Sequence, residues 1–215
     1  MKKIICSFVC ALLLLCTLSV IISCDRADTD AEESEYESLY SMPEYDPESI
    51  GSYIKPFGYV GRVVYAEAGQ TLSEALWSDI VEGVEIIEYP SAQVEYYVSQ
   101  ERAKYSYFAR RDGIEYEELL IALGVTEESI VERAKSLVKE DLALQYIISD
   151  AGITLTSEEK AAHIDKYAEK LSQVYGNDAE YIKTNMTEQI YDAMLSDKTM
   201  EYLLVNNTVH TTQSK

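Results

Sequence analysis

The sequence predicts an all-α protein. A multi-helix body spans residues 71–210, a short β-like segment covers 51–70, and an acidic stretch runs before that. Three observations carry this reading. Thr, Pro or Asn start signals are, in most cases, followed at helical distance by glycine stops. Between them, apolar residues recur at offsets of three, four, seven and eleven. All four cysteines lie at or before position 24, so the body holds no disulfide or thiolate metal site and must be stabilised by packing.

The N-terminus reads as an export signal. Lys2 and Lys3 precede residues 4–22, which are almost wholly apolar. Ile21-Ile22-Ser23-Cys24 resembles a lipobox, the cleavage motif of bacterial lipoproteins. That resemblance implies removal of residues 1–23 and a lipid thioether on Cys24. It places the protein on the bacterial cell membrane, lipid-anchored and facing the extracytoplasmic side. An uncleaved membrane span is the alternative for a run of about 19 apolar residues, and the lysines would give it the same orientation. A buried core helix fits poorly beside two lysines at the chain start.

After Cys24, residues 25–48 contain ten acids and one base, Arg26. A segment with so much charge and so few aliphatics cannot bury enough apolar area to order itself, so residues 24–50 read as a flexible tether. Weak calcium binding is the functional alternative for this run of acids. Residues 51–70, "GSYIKPFGYVGRVVYAEAGQ", carry glycines at 51, 58, 61 and 69 around a β-favouring run. One or two short strands are expected, packed on the helical body because an isolated hairpin is only marginally stable.

The helices then follow in order. Thr71 and Glu74 form a capping box and Gly83 ends that helix. Pro90 suits a first helical position, and the helix runs to about Arg111 before Gly113. Its stripe is Val94, Tyr97, Val98, Tyr105, Phe108 and Ala109. A short helix over about 115–123 stops at Gly124. Thr126 caps the next, with Glu127 and Glu128 near the positive end of its dipole, and it runs to about Asp150 before Gly152. Its broad apolar face (Ile130, Ala134, Leu137, Val138, Leu144, Ile147, Ile148) marks it as central. Thr156 and Glu159 form another capping box, with Gly176 as the stop. Asn177 is expected to cap a last helical stretch to about Asn206, with a break near Asn185. Residues 211–215 read as a disordered tail.

Charge and missing chemistry narrow the function. The chain carries 18 basic and 38 acidic residues, a formal charge of −20. Without residues 1–23 it has 16 basic against 38 acidic residues, or −22. Such a chain repels phosphates, which excludes nucleic-acid binding. His163 and His210 are the only histidines, and neither sits at a metal-ligand spacing or beside a nucleophile motif. No phosphate-binding glycine loop is present. Carboxylates are too abundant for any pair to stand out as acid and base. The expectation is a protein without catalytic residues, metal or cofactor. Asn185-Met-Thr187 and Asn206-Asn-Thr208 are sequons that a bacterial export route would leave unused.

Tyrosine is the excess: 18, against 3 Phe and 1 Trp. It offers large contact area, a polar tip and few rotors. Tyr96 and Tyr107 lie off the apolar stripe of their own helix. With Tyr181 and Tyr191 they are the candidate peptide-binding residues; the competing reading makes them half-buried boundary residues.

From Thr71 to Val209 the order of pieces resembles the C-terminal substrate-binding region of trigger factor, itself akin to the helical parts of parvulin-type periplasmic chaperones. The resemblance is carried by "LSEALWSDIVEGVEIIEYPSAQVEYYVSQERAKYSYFARRDGI", where a turn ends in the proline that starts a long arm helix. "TEESIVERAKSLVKEDLALQYIISDAGITLTSEE" and "AEKLSQVYGNDAEYIKTNMTEQIYDAMLSDKTMEYLLVNNTV" continue it in the same order. It implies a helical cradle that holds unfolded or exported polypeptides by patchy apolar contacts. Neither a ribosome-docking nor an isomerase domain is expected, since only about 22 residues separate the acidic stretch from Thr71. The expected function is a membrane-anchored holdase outside the membrane. The alternatives are an adaptor that docks one folded partner, and an enzyme whose site the sequence does not reveal.

Overall fold

The computed structural model describes residues 42–211. The signal segment, Cys24 and the tether up to residue 41 lie outside the described residues, as does the tail beyond Thr211. Among the described residues there are eight helices and two short strands. They are α1 (Ile50–Tyr53), β1 (Val63–Ala66), α2 (Leu72–Glu82), α3 (Ser91–Asp112), α4 (Tyr116–Leu123), α5 (Glu127–Ala151), α6 (Ser157–Tyr175), α7 (Ala179–Asn185), α8 (Thr187–Val205) and β2 (Thr208–Thr211). None of the helices described is long and apolar enough to cross a membrane.

The caps form as the sequence requires. Thr71, Thr126 and Thr156 each accept a bond from the backbone N–H three residues on, and each box is closed by the return contact from Glu74, Ser129 or Glu159. Ser129 completes the second box, so Thr126 is more than the simple cap expected from sequence. Gly113 and Gly152 end α3 and α5 in the left-handed conformation, at φ 70° and 63°. Gly83 ends α2 differently, with φ −75°. Its missing side chain makes room for Arg62, whose guanidinium would lie 3.0 Å from a Cβ there. Two starts differ by one residue from expectation. Pro90 is the N-cap of α3 because its ψ of 119° is extended. Asp178 replaces Asn177 as the cap of α7, and its carboxylate accepts from the Tyr181 N–H at 2.8 Å. The expected break falls at Met186, whose φ of −131° and ψ of 36° leave the helical region between α7 and α8.

α3 and α5 form an antiparallel hairpin closed by α4. The cross-links show the direction: Arg102 meets Glu127, Glu101 meets Arg133, and Tyr97 meets Asp141. At 1.5 Å per residue, α5 with its 25 residues is about 38 Å long. It is central, as its sequence face implies: Ile130, Ala134, Val138, Leu142, Ala143 and Ile147 are all buried. Each large side chain buried there contributes about 2 kcal/mol.

The β-like segment does form a strand, but its partner is the other end of the chain. β1 pairs in parallel with β2, with Val63 opposite Thr208 and Ala66 opposite Thr211. Thr211, assigned to the tail from sequence, is therefore in the sheet. Asn207 locks the two ends together. Its side chain accepts from the Arg62 N–H at 2.8 Å and donates to the Tyr59 and Leu203 carbonyls at 3.0 and 2.7 Å.

A second difference lies upstream. Residues 42–50, read from sequence as the end of the flexible tether, pack on the body. Met42 and Tyr45 lie against the main core and Ile50 is buried in it. The acid run hides this because the apolar residues sit at its far end, where a half-buried tyrosine and methionine have a surface to pack on.

The apolar residues form two clusters. The first gathers α1, β1, α2, α3, α4 through Leu120, α5 and the end of α8. The second gathers Tyr167, Ala168 and Leu171 of α6, Ile182 of α7, and Ile190 and Met194 of α8. α8 belongs to both, since its Met200 and Leu203 lie in the first. At their junction the Lys198 ammonium donates to the Thr154 carbonyl at 2.7 Å and to both oxygens of Glu159 at 2.7 and 2.9 Å.

Candidate functional site

The four tyrosines do not form one face. Tyr96 is half-buried against the first cluster, its ring 5.3 Å from that of Tyr97. Tyr107 lies three helical turns further along α3, beside Phe108 at 5.6 Å. Tyr191 is half-buried in the second cluster under the Lys160 ammonium, 4.3 Å from the ring centre. Tyr181 alone is open to water, at 50% exposure. His163 and His210 are both exposed, and His210 stacks on Tyr65 at 5.0 Å across the sheet. Among the described residues no group of three or more His, Cys, Asp or Glu is placed to hold a metal ion.

Apolar surface is instead left in water at the closed end of the α3–α5 hairpin. Ile121 is 80% exposed and Leu123 56%, with Ile114 also exposed beside them. α4 buries Leu119 and Leu120 against the hairpin, which turns Ile121 to the opposite side, while Leu123, one turn on along the buried side, is left uncovered at the end of the helix. The sequence reading passed over these residues. Their signal was a five-residue apolar run, "LLIAL", on a helix too short to bury every side.

Buried polar groups line the hairpin's inner seam. Glu101 is 1% exposed and is held by Lys104 at 2.6 Å and Arg133 at 3.1 Å. Deeper in, Asp141 is 6% exposed and accepts a 2.5 Å bond from the Tyr97 hydroxyl. Burial lifts its carboxyl to about 7. The Tyr97 bond opposes the rise, and the nearby charges of Glu140 and Asp192 add to it. Burial likewise raises Asp192, helped by Glu188 and Glu44. The Tyr45 hydroxyl is buried beside Asp141 and has no hydrogen-bond partner among the described residues. Gln93, also buried, donates from Nε2 to the Pro43 and Glu44 carbonyls at 3.1 and 3.4 Å.

These residues were also missed from sequence, although a signal existed. Gln93, Glu101 and Asp141 each fall on the apolar stripe of their helix, where a polar side chain must have a partner.

A helical hairpin with an apolar tip, joined through a shared helix to a second small helical cluster, defines an arm-bearing all-α scaffold with no assembled catalytic group among the described residues. Residues 62–205 match the family described as the bacterial trigger factor protein (TF) C-terminus, and the chain belongs to that family. The trigger factor of Alkaliphilus oremlandii is 28% identical over 140 residues, covering 60% of this chain and 32% of its own length. That of Clostridioides difficile is 28% identical over 131 residues, 57% of this chain and 30% of its own. A third, from Caldicellulosiruptor saccharolyticus, is 28% identical over 122 residues, 53% of this chain and 26% of its own. The chain thus spans about a third or less of the curated relatives it matches. No solved structure matches it.

Proposed function

We propose that the protein is a chaperone-like holdase that binds unfolded or exported polypeptides, and that it works outside the cytoplasm on a lipid anchor at Cys24. Family membership over residues 62–205 supports the polypeptide-binding part. The observation that carries it on this molecule is the exposed tip, where Ile121, Leu123 and Ile114 offer apolar contact without a partner. The acidic surface suits a holdase, because like charge limits self-association while the apolar tip stays open. Lys2, Lys3, the apolar run over 4–22 and the Ser23-Cys24 junction support the anchor.

Two stable acyl chains on Cys24 would hold the body at the membrane, each buried CH₂ adding about 0.8 kcal/mol. No residue in this reading performs covalent chemistry on the client, and binding is mostly apolar and reversible.

The test is suppression of aggregation of an unfolded reporter by the full chain, beside a variant with Ile121→Ser and Leu123→Ser. The wild type should suppress aggregation and the variant should lose most of that effect. No suppression at several-fold excess would remove the reading, and a single stoichiometric partner in membrane pull-downs would favour an adaptor. Cys24→Ala should abolish labelling by a lipid analogue; unchanged labelling would place the anchor elsewhere.

A further inference from the structure

We infer that the seam between α3 and α5, next to α8, is a polypeptide-binding groove, and that residues 42–45 of this chain occupy it as a displaceable internal ligand. The inference rests on the polypeptide-binding reading and adds to it a site, a ligand geometry and a mode of regulation.

The way "Met-Pro-Glu-Tyr" is held is the basis. These residues form no helix or strand of their own. Their main chain is gripped by one buried side-chain amide, Gln93, which donates to two successive carbonyls, Pro43 and Glu44. A contact to main-chain carbonyls reads no sequence and suits any chain laid there. Side-chain contact comes from Met42 and Tyr45, which pack on the first apolar cluster on either side of that grip. Immediately downstream the chain is pinned by a turn, in which Asp46 accepts from the Glu48 and Ser49 backbones at 3.0 and 2.9 Å. The strap can therefore lift from its upstream side while its base stays fixed.

The internal ligand fits imperfectly in two places. Its Tyr45 hydroxyl is buried with no partner among the described residues, although Asp141 and Tyr97 are close by and bonded to each other. An unsatisfied buried hydroxyl weakens the seated state. Its Glu44 lies within the field of Asp192, which already feels Glu188. An acid there is repelled from α8. A segment with a hydroxyl-free apolar residue at the Tyr45 place and a non-acidic residue before it would fill the same sockets without either penalty. The favoured ligand is thus an unfolded segment that is apolar and locally uncharged. The strap guards the groove against weaker ones.

The experiment measures binding of a fluorescent synthetic copy of residues 42–49 carrying Glu44→Gln and Tyr45→Phe, by anisotropy, to the full chain and its variants. Tyr45→Phe in the chain removes the orphan hydroxyl and should weaken peptide binding at least about fivefold, because the strap then competes better. Tyr45→Ala empties the socket and should tighten peptide binding by a similar factor. Gln93→Leu should weaken binding of the peptide to the Tyr45→Ala chain. Helical circular dichroism establishes that each variant is folded, and Tyr45→Phe, the most conservative, decides the matter where another fails to fold. No peptide binding to any chain, or equal affinity for wild type, Tyr45→Phe and Tyr45→Ala, overturns the groove. Aggregation suppression measured alongside separates the two readings. Suppression with unchanged peptide affinities removes the groove and leaves the holdase. The expected affinity order without suppression keeps the groove and removes the general holdase.

Discussion

Replacing Asp141 by Asn should make the protein's stability less sensitive to pH, and the sign and size follow from its surroundings. Asp141 on α5 faces Tyr97 from α3, Tyr45 from the strap and Asp192 from α8, with Glu140 beside it on its own helix. Its carboxyl is raised from 3.8 to about 7, chiefly by burial. Between those values the unfolded chain has lost the proton and the folded chain still holds it. The folded state binds more protons there, so stability falls as pH rises. Its contribution is fully present below the unfolded value and is lost as pH rises through the folded one. Each unit within that window removes at most about 1.4 kcal/mol. From about pH 5 to about pH 8 the limit is near 3 kcal/mol, and relaxation around the ionised group brings it to about 2. Asn keeps the volume and can still accept from Tyr97, but it has no proton to lose. Urea denaturation followed by circular dichroism at the two pH values gives the comparison. The Asn variant should gain about 2 kcal/mol on the wild type between them. A gap that stays constant with pH would show that Asp141 is ionised in the folded protein throughout, and would refute the account of the seam.

Three further changes bear on the same structure. Tyr97→Phe removes the hydroxyl that favours the charged form of Asp141, so its cost should be about 2 kcal/mol at about pH 8 and smaller at about pH 5, read from the same denaturation curves. Glu101→Gln breaks a buried carboxylate's bonds to Lys104 and Arg133 and should cost about 3 kcal/mol in urea, with little relief from added salt. Asn207→Ala deletes two bonds between the chain ends, and one to the Leu203 carbonyl, and should cost about 2 kcal/mol. Its signature in hydrogen exchange is faster exchange at 208–211 and unchanged protection in α5.

Much of the fold was legible because the signals are local. A threonine followed three residues later by Glu or Ser fixes a helix start, and a glycine one residue past the stripe fixes its end. Together with Pro90 at the start of α3, those rules located α2 to α6 within a residue or so, and the break expected near Asn185 falls at Met186. Pairing of β1 with β2 was not legible, since nothing in "YVGRVVYAEA" names a partner some 145 residues away. The strap was hidden for a different reason. Composition averaged over 25–48 is dominated by acids, and averaging conceals Met42 and Tyr45 at one end. At the candidate site, tyrosine abundance directed attention to four rings that the structure scatters: Tyr96 packs on the first cluster, Tyr191 on the second, and Tyr107 and Tyr181 on neither. The polar residues on apolar stripes, Gln93, Glu101 and Asp141, were the better clue because burial without a partner is costly.

The two clusters also limit how a cradle of this kind can open. Ile153 packs in the first cluster and Leu155 against the second, so the chain crosses between them within three residues. The other crossing is α8, which passes from Met194 to Met200 without glycine or proline. A helix without those residues, or an inserted group, has no built-in kink. Lys198 sits on this uninterrupted stretch and ties it to Thr154 and Glu159, at the start of α6. Relative movement of the clusters must therefore bend a continuous helix and break these bonds together. Movement about Met186 is cheaper, because the helix is already interrupted there. α7 carries the exposed Tyr181 at that interruption but is held by the fully buried Ile182, so its movement would have to open the second cluster, while the α3–α5 hairpin and its seam lie outside it.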